Sequence, residues 1–219
     1  MAHAIVTSDV ALVSGYLARP MAAGKYPGIV VIQEWWGVDE HVKDVTRRFA
    51  QEGYVALAPD LFHGRVTNEP SEAQKLTMAL DRSRAVRDVQ AAVGYIKENP
   101  ASNGNVVTIG YCMGGGISLL AGCQDGLNAC IVYYGGLPTP LDLLNGVKAP
   151  VLAVYGSDEE ARGKQLEQEL RTRGKHVELH VYQGANHAFF NDQGQRYNAE
   201  AARDAWQKTL AFLKQHAPA

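Results

Sequence analysis

Cysteine is scarce in this chain: Cys112, Cys123 and Cys130 are the only three in 219 residues. The number is odd and their spacing fits no zinc pattern, and with no Cys-x-x-Cys and no obvious resolving partner the sequence argues against a redox role for Cys112. Charge of one sign is lacking as well. Lys and Arg number 21 against 23 Asp and Glu, a formal net charge of −2. No run of like charges stands out, which removes the electrostatic case for nucleic acid or a membrane surface. No apolar stretch is long enough to cross a bilayer. Met1-Ala2-His3-Ala4-Ile5 shows no basic region followed by an apolar one, so no signal peptide is expected. These absences lead to the expectation of a cytoplasmic protein, a monomer or small homo-oligomer, that handles a small molecule.

What is present is apolar and regularly punctuated. Hydrophobic residues make up 46% of the chain, enough for one α/β domain over residues 1–219 with a sizeable core. Residues 3–19 read as an antiparallel hairpin at a sheet edge. Apolar strand runs follow at Ile29–Ile32, Tyr54–Ala58, Val106–Ile109, Ala129–Tyr133, Val151–Tyr155 and Val177–Val181. Between them lie helical stripes such as Val42, Val45 and Phe49, capped by Asp39, and Val86, Val89, Val93 and Ile96. Ser71-Glu72-Ala73-Gln74 has the spacing of a capping box. Strands alternating with helices predict a mostly parallel sheet covered on both faces, with the antiparallel hairpin at its edge.

The stretch Gly110-Tyr111-Cys112-Met113-Gly114 joins a strand to a helix through a lone thiol flanked by glycines. It lacks the second glycine of a dinucleotide fingerprint and the Gly-Lys of a phosphate loop. A buried, inert cysteine in a glycine-rich turn is the bland reading. The alternative is a nucleophile elbow, in which a tight turn lifts the reactive atom above the sheet and frees the next backbone N–H for an oxyanion hole.

Reactive side chains also end other strands, where open parallel sheets gather function. Cys112, Asp158 and His187 follow one another in the chain order of a nucleophile, acid and histidine triad. His187 would be the general base, and Asp158 would fix its tautomer. Glu159 and Glu160 are rival acids, but Asp158 directly follows the Gly156-Ser157 turn. Glu34 ends an earlier strand and can manage the thiol's proton, since only thiolate is nucleophilic. The backbone N–H groups of Trp35 and Met113 are placed to form the oxyanion hole.

These stretches carry a family resemblance. Gln33-Glu34-Trp35-Trp36-Gly37-Val38, the Gly53–Leu61 run, Gly110-Tyr111-Cys112-Met113-Gly114-Gly115, Tyr133-Tyr134-Gly135, Gly156-Ser157-Asp158 and Gly184-Ala185-Asn186-His187-Ala188-Phe189 resemble the dienelactone hydrolase family of α/β-hydrolases. The resemblance implies an α/β-hydrolase fold, a Cys112–His187–Asp158 triad, and a Glu34 that holds the resting thiol and helps form the thiolate. It implies cleavage of a carboxylic ester or lactone through a Cys thioester, with no metal or other cofactor. Family members that grip a carboxylated lactone place an arginine a few residues after the histidine. Asn191 stands there in this chain, so Arg65 and Arg82 are the remaining candidate clamps. Trp36, Phe62, Tyr134 and Phe189 are candidates for an aromatic pocket wall. Two rival readings are a broad short-chain carboxylesterase or thioesterase and a catalytically silent binding or regulatory protein on the same fold.

Overall fold

Regular alternation of buried strands and amphipathic helices produces one eight-stranded sheet in the order β1-β2-β4-β3-β5-β6-β7-β8. The computed structural model describes residues 5–10 and 14–218. Strands β1 (Ile5–Val10) and β2 (Gly15–Pro20) pair antiparallel at one edge, as the hairpin reading expects; residues 3, 4 and 11–13 of that reading lie outside the described residues. β2 then pairs antiparallel with β4 (Val55–Pro59). From β4 onward the neighbours β3 (Tyr26–Ile32), β5 (Ser102–Tyr111), β6 (Ala129–Tyr133), β7 (Val151–Gly156) and β8 (Val177–Tyr182) are parallel.

Because successive strand residues point to opposite faces, one strand serves two cores. Ile29 and Val31 join the cluster beneath α1 (Glu40–Gln51), α5 (Glu160–Thr172) and α6 (Ala199–His216). Val30 and Ile32 join the cluster beneath α3 (Arg82–Glu98) and one side of α4 (Met113–Ala121). Asp39 caps α1 as its sequence suggests, its Oδ1 accepting the Val42 N–H at 2.9 Å. The capping box at Ser71 does not form. Helix α2 (Pro70–Ala79) starts earlier, with Pro70 in its first turn and Glu69 as a cap that makes no side-chain bond. Proline needs no N–H partner there and its φ is already helical. With six parallel strands ending on one side, the chain after each of β3, β5, β7 and β8 reaches the same rim.

Candidate active site

The turn from β5 into α4 is held open by two close approaches. A Cβ on Gly110 would sit 1.9 Å from the Gly114 carbonyl oxygen, and one on Gly114 would sit 2.4 Å from that of Ile32. Only glycine fits either position. Between them Cys112 adopts φ 54° and ψ −116°, a backbone region that L-residues avoid, and such a conformation survives only where its surroundings enforce it. The Cys112 N–H donates to the Tyr133 carbonyl at 3.0 Å. The N–H groups of Met113 and Trp35 donate to no acceptor among the described residues.

His187 follows β8 in a turn that includes Ala188 at φ 66°. Its ring is about three-quarters covered and packs 5.0 Å, centre to centre, from the Tyr134 ring. Burial opposes the ring's charge. A hydrogen bond with Cys112 and another with Glu159 outweigh that effect, so the ring is pushed up to about 10 from an ordinary 6.5. Its proton is therefore held well into the alkaline range.

The carboxylate against the ring is a correction to the sequence reading. Glu159 Oε2 lies 2.9 Å from His187 Nδ1. Asp158 is exposed, and its two oxygens accept the His187 backbone N–H at 2.9 and 3.0 Å. Residues 157–159 form a single 3₁₀ turn, in which neighbouring side chains diverge by about 120°. Asp158 thus faces the loop and Glu159 faces the ring. Glu159 also pairs with Arg162.

Glu34 is buried at the end of β3. Tyr134 O–H donates to its Oε1 at 3.2 Å and the Asn191 amide donates to its Oε2 at 2.8 Å. Desolvation raises its pKa, opposed by the charge of His41 and the Asn191 bond. No hydrogen bond joins Glu34 to Cys112 among the described residues, contrary to the expected direct contact. The two meet instead around Tyr134, whose hydroxyl is kept protonated by burial and by the charges of Glu34 and Cys112.

A cleft of about 1060 Å³ opens over Cys112 and His187, walled by Glu34, Trp35, Trp36, Asp39 and Asn191, with residues 66–68, 70, 188 and 193–196 completing it. Trp35 and Trp36 meet edge to face at 4.8 Å. Of the residues expected to shape the pocket, Trp36 and Asn191 line it. The rest do not. Tyr134 and Phe189 are core residues beneath it, and Phe62 is buried beside β4. Arg65 pairs with Glu72 on the surface. Arg82 lines a separate groove between α3 and α4. The cleft's guanidinium is Arg196, which has no ion-pair partner among the described residues. It stands nine positions after His187 in an irregular turn, where no periodicity marks it. Among the described residues no cluster of His, Cys, Asp and Glu is arranged to hold a metal ion, and no helix is long and apolar enough to cross a membrane.

Comparison with known proteins fits this geometry. The sequence profile of the dienelactone hydrolase family matches residues 13–217. A Saccharolobus solfataricus protein provisionally named a carboxymethylenebutenolidase is 31% identical, over 94% of this chain and 95% of its own. One of the same provisional name from Synechocystis is 36% identical over 92% and 91%. The crystal structure of a Klebsiella pneumoniae protein, provisionally titled a dienelactone hydrolase, superposes with a TM-score of 0.90 at 30% identity, covering 97% of this chain and all of that one. The chain belongs to the dienelactone hydrolase family, a family of carboxylic ester hydrolases with the α/β-hydrolase fold.

Proposed function

We propose that residues 1–219 act as one domain that hydrolyses a carboxylic ester or lactone through a thioester on Cys112. The observation that carries this reading is the strained elbow thiol beside a histidine whose far nitrogen meets a largely covered carboxylate. Part of what raises the ring is the charge of a Cys112 thiolate, so beside that thiolate the ring is an imidazolium. It is the acid that a leaving alkoxide needs. The buried carboxylate of Glu34, at the end of the strand beside the elbow, is the assigned acceptor of the thiol's proton.

Glu34 takes the thiol proton as substrate fills the cleft, and Cys112 Sγ attacks the carbonyl carbon. The N–H groups of Trp35 and Met113 receive the oxyanion, a pair of donors of which each typically contributes about 10²–10³ in rate. Collapse breaks the C–O bond, and the alcohol leaves with the His187 proton. His187, then neutral, takes a proton from water, whose oxygen attacks the thioester. The carboxylic acid departs, and Glu34 returns its proton to the sulfur. Glu159 holds the ring tautomer throughout, the role that the sequence reading gave to Asp158.

The provisional name of the relatives carries a butenolide lactone with a carboxymethylene group. Arg196 on the cleft wall supports an anionic substrate for this chain, since a guanidinium is suited to a carboxylate. The test is intact-mass detection of an acyl adduct on Cys112 after brief exposure to an activated ester, with Cys112→Ala as the blank. An adduct on the parent that is absent from the variant is expected. Equal turnover by both proteins would defeat the thioester mechanism.

A further inference from the structure

His41 is the second residue of α1 and is one of the least accessible polar side chains in the protein, 1% exposed. A histidine so placed needs partners for both ring nitrogens, because an unmade hydrogen bond in the interior is costly. Nδ1 has one: Asp192 Oδ1 at 3.2 Å. The other oxygen of Asp192 lies 3.7 Å from Arg48, which reaches back from α1. Nε2 has no partner and is buried. The hydroxyl of Tyr111 is also buried and unpartnered, and its ring centre lies 6.4 Å from that of His41. Tyr111 in turn lies 6.3 Å from Tyr134, the residue that donates to Glu34.

The chain links the two sites directly. Asn191 binds Glu34, and the next residue, Asp192, binds His41. We propose that His41, clamped by Asp192 behind the cleft, is a positioning residue that governs the charge of Glu34 and through it the readiness of the Cys112 thiol.

The physical argument is one of compensation. A carboxylate at the burial of Glu34 is strongly disfavoured unless something offsets its desolvation. Its two hydrogen-bond donors, Tyr134 and Asn191, are neutral. The cation that acts on it is His41, when protonated. The other charged or titratable groups around His41 are Asp39 at the cap of α1, Asp44 and Arg48 within it, Tyr111 from β5 and Asp192 from the turn before α6. Arg48 pairs with Asp44 and Asp192, and neither Tyr111 nor Asp39 supplies positive charge. His41, when protonated, therefore favours ionised Glu34, and Asp192 holds its ring in place.

This inference rests on the reading of Glu34 as the acceptor of the thiol proton, and the experiment separates the two. The pH dependence of kcat/KM for a neutral p-nitrophenyl ester is measured between pH 5 and pH 9 for the parent, Glu34→Gln, His41→Gln and Asp192→Asn. The parent should show an acid limb that Glu34→Gln abolishes. In His41→Gln that limb should move to higher pH by roughly one unit, lowering the rate at pH 6 by about tenfold. Toward the alkaline end of the range the rate should come within about threefold of the parent. A merely structural role would lower the rate evenly across the range. Asp192→Asn, at a position 38% exposed, should shift the limb in the same direction by less and guards against misfolding of the His41 variant. A limb abolished by Glu34→Gln but unmoved in both other variants overturns the role of His41 alone. A limb that survives Glu34→Gln overturns the Glu34 reading and this inference with it.

Discussion

Replacing Glu159 by Gln is the perturbation that most directly separates the observed ring partner from the expected one. The Glu159 oxygen lies 2.9 Å from Nδ1, and its side chain is 9% exposed, so solvent screens the pair only weakly. Two unit charges about 4 Å apart interact by about 4 kcal/mol at an effective dielectric near 20. At about 1.36 kcal/mol per decade this corresponds to roughly three decades in rate. Arg162 also pairs with Glu159 and takes up part of its field, so the expected loss in kcat/KM is about 10²–10³. Asp158→Asn keeps an oxygen that accepts the His187 N–H and should cost less than about tenfold. The assay is hydrolysis of a neutral p-nitrophenyl ester at pH 7, with the His187 ring followed by NMR as pH rises. In Glu159→Gln the ring should titrate below the value near 10 of the parent. A severe loss in Asp158→Asn, with Glu159→Gln within tenfold of the parent, would refute the assignment.

Three other outcomes follow from the same geometry. The folded His187 value of about 10 lies above the ordinary 6.5. Between those values the folded chain holds a proton that the unfolded chain has lost, so stability should fall as pH rises from about 6.5 toward 10; urea titrations should show this slope flattened in Glu159→Gln. Arg196→Gln should raise KM for an anionic ester by about tenfold and leave a neutral ester of similar size unchanged, since a lost charge-assisted bond is typically about 1.5 kcal/mol or more; equal effects on both substrates would remove Arg196 from substrate binding. Cys112 sits at φ 54°, where glycine is unstrained, so Cys112→Gly should unfold at higher urea than Cys112→Ala, by about 1 kcal/mol or more. Equal midpoints would mean that the elbow stores no strain.

Much of the architecture was legible because it rests on period and punctuation. Buried strand runs, helix stripes and the glycines around Cys112 are local patterns, and each maps onto an element of the sheet. The carboxylate was harder to assign. Asp158, Glu159 and Glu160 are consecutive acids, and only the 3₁₀ turn through residues 157–159 determines which of them meets the imidazole. Asn191 lines the cleft as expected, but its bond to Glu34 is hidden from the sequence for a related reason. Counting residues from His187 locates it, but the sharp turn at Ala188 directs its amide to Glu34. The sequence reading names Arg82 as a candidate clamp and passes over Arg196, while α3 carries the first to another groove and an irregular turn brings the second to the cleft. His41 reads as one more residue on the inner side of an amphipathic helix. Its burial against Asp192 involves a partner 151 positions away, which no local pattern reveals.

The cleft has two kinds of wall. Cys112 and Glu34 stand at the ends of buried strands, fixed by backbone contacts that tolerate no added atom at Gly110 or Gly114. Residues 193–196 form an exposed turn ahead of α6 that contributes no residue to either apolar core. Selection can therefore act on the two at different rates. Changes in that turn, including loss or gain of its guanidinium, alter what is received without disturbing the nucleophile. Grafting residues 193–196 between relatives is thus a way to diversify substrate choice on an unchanged reaction centre.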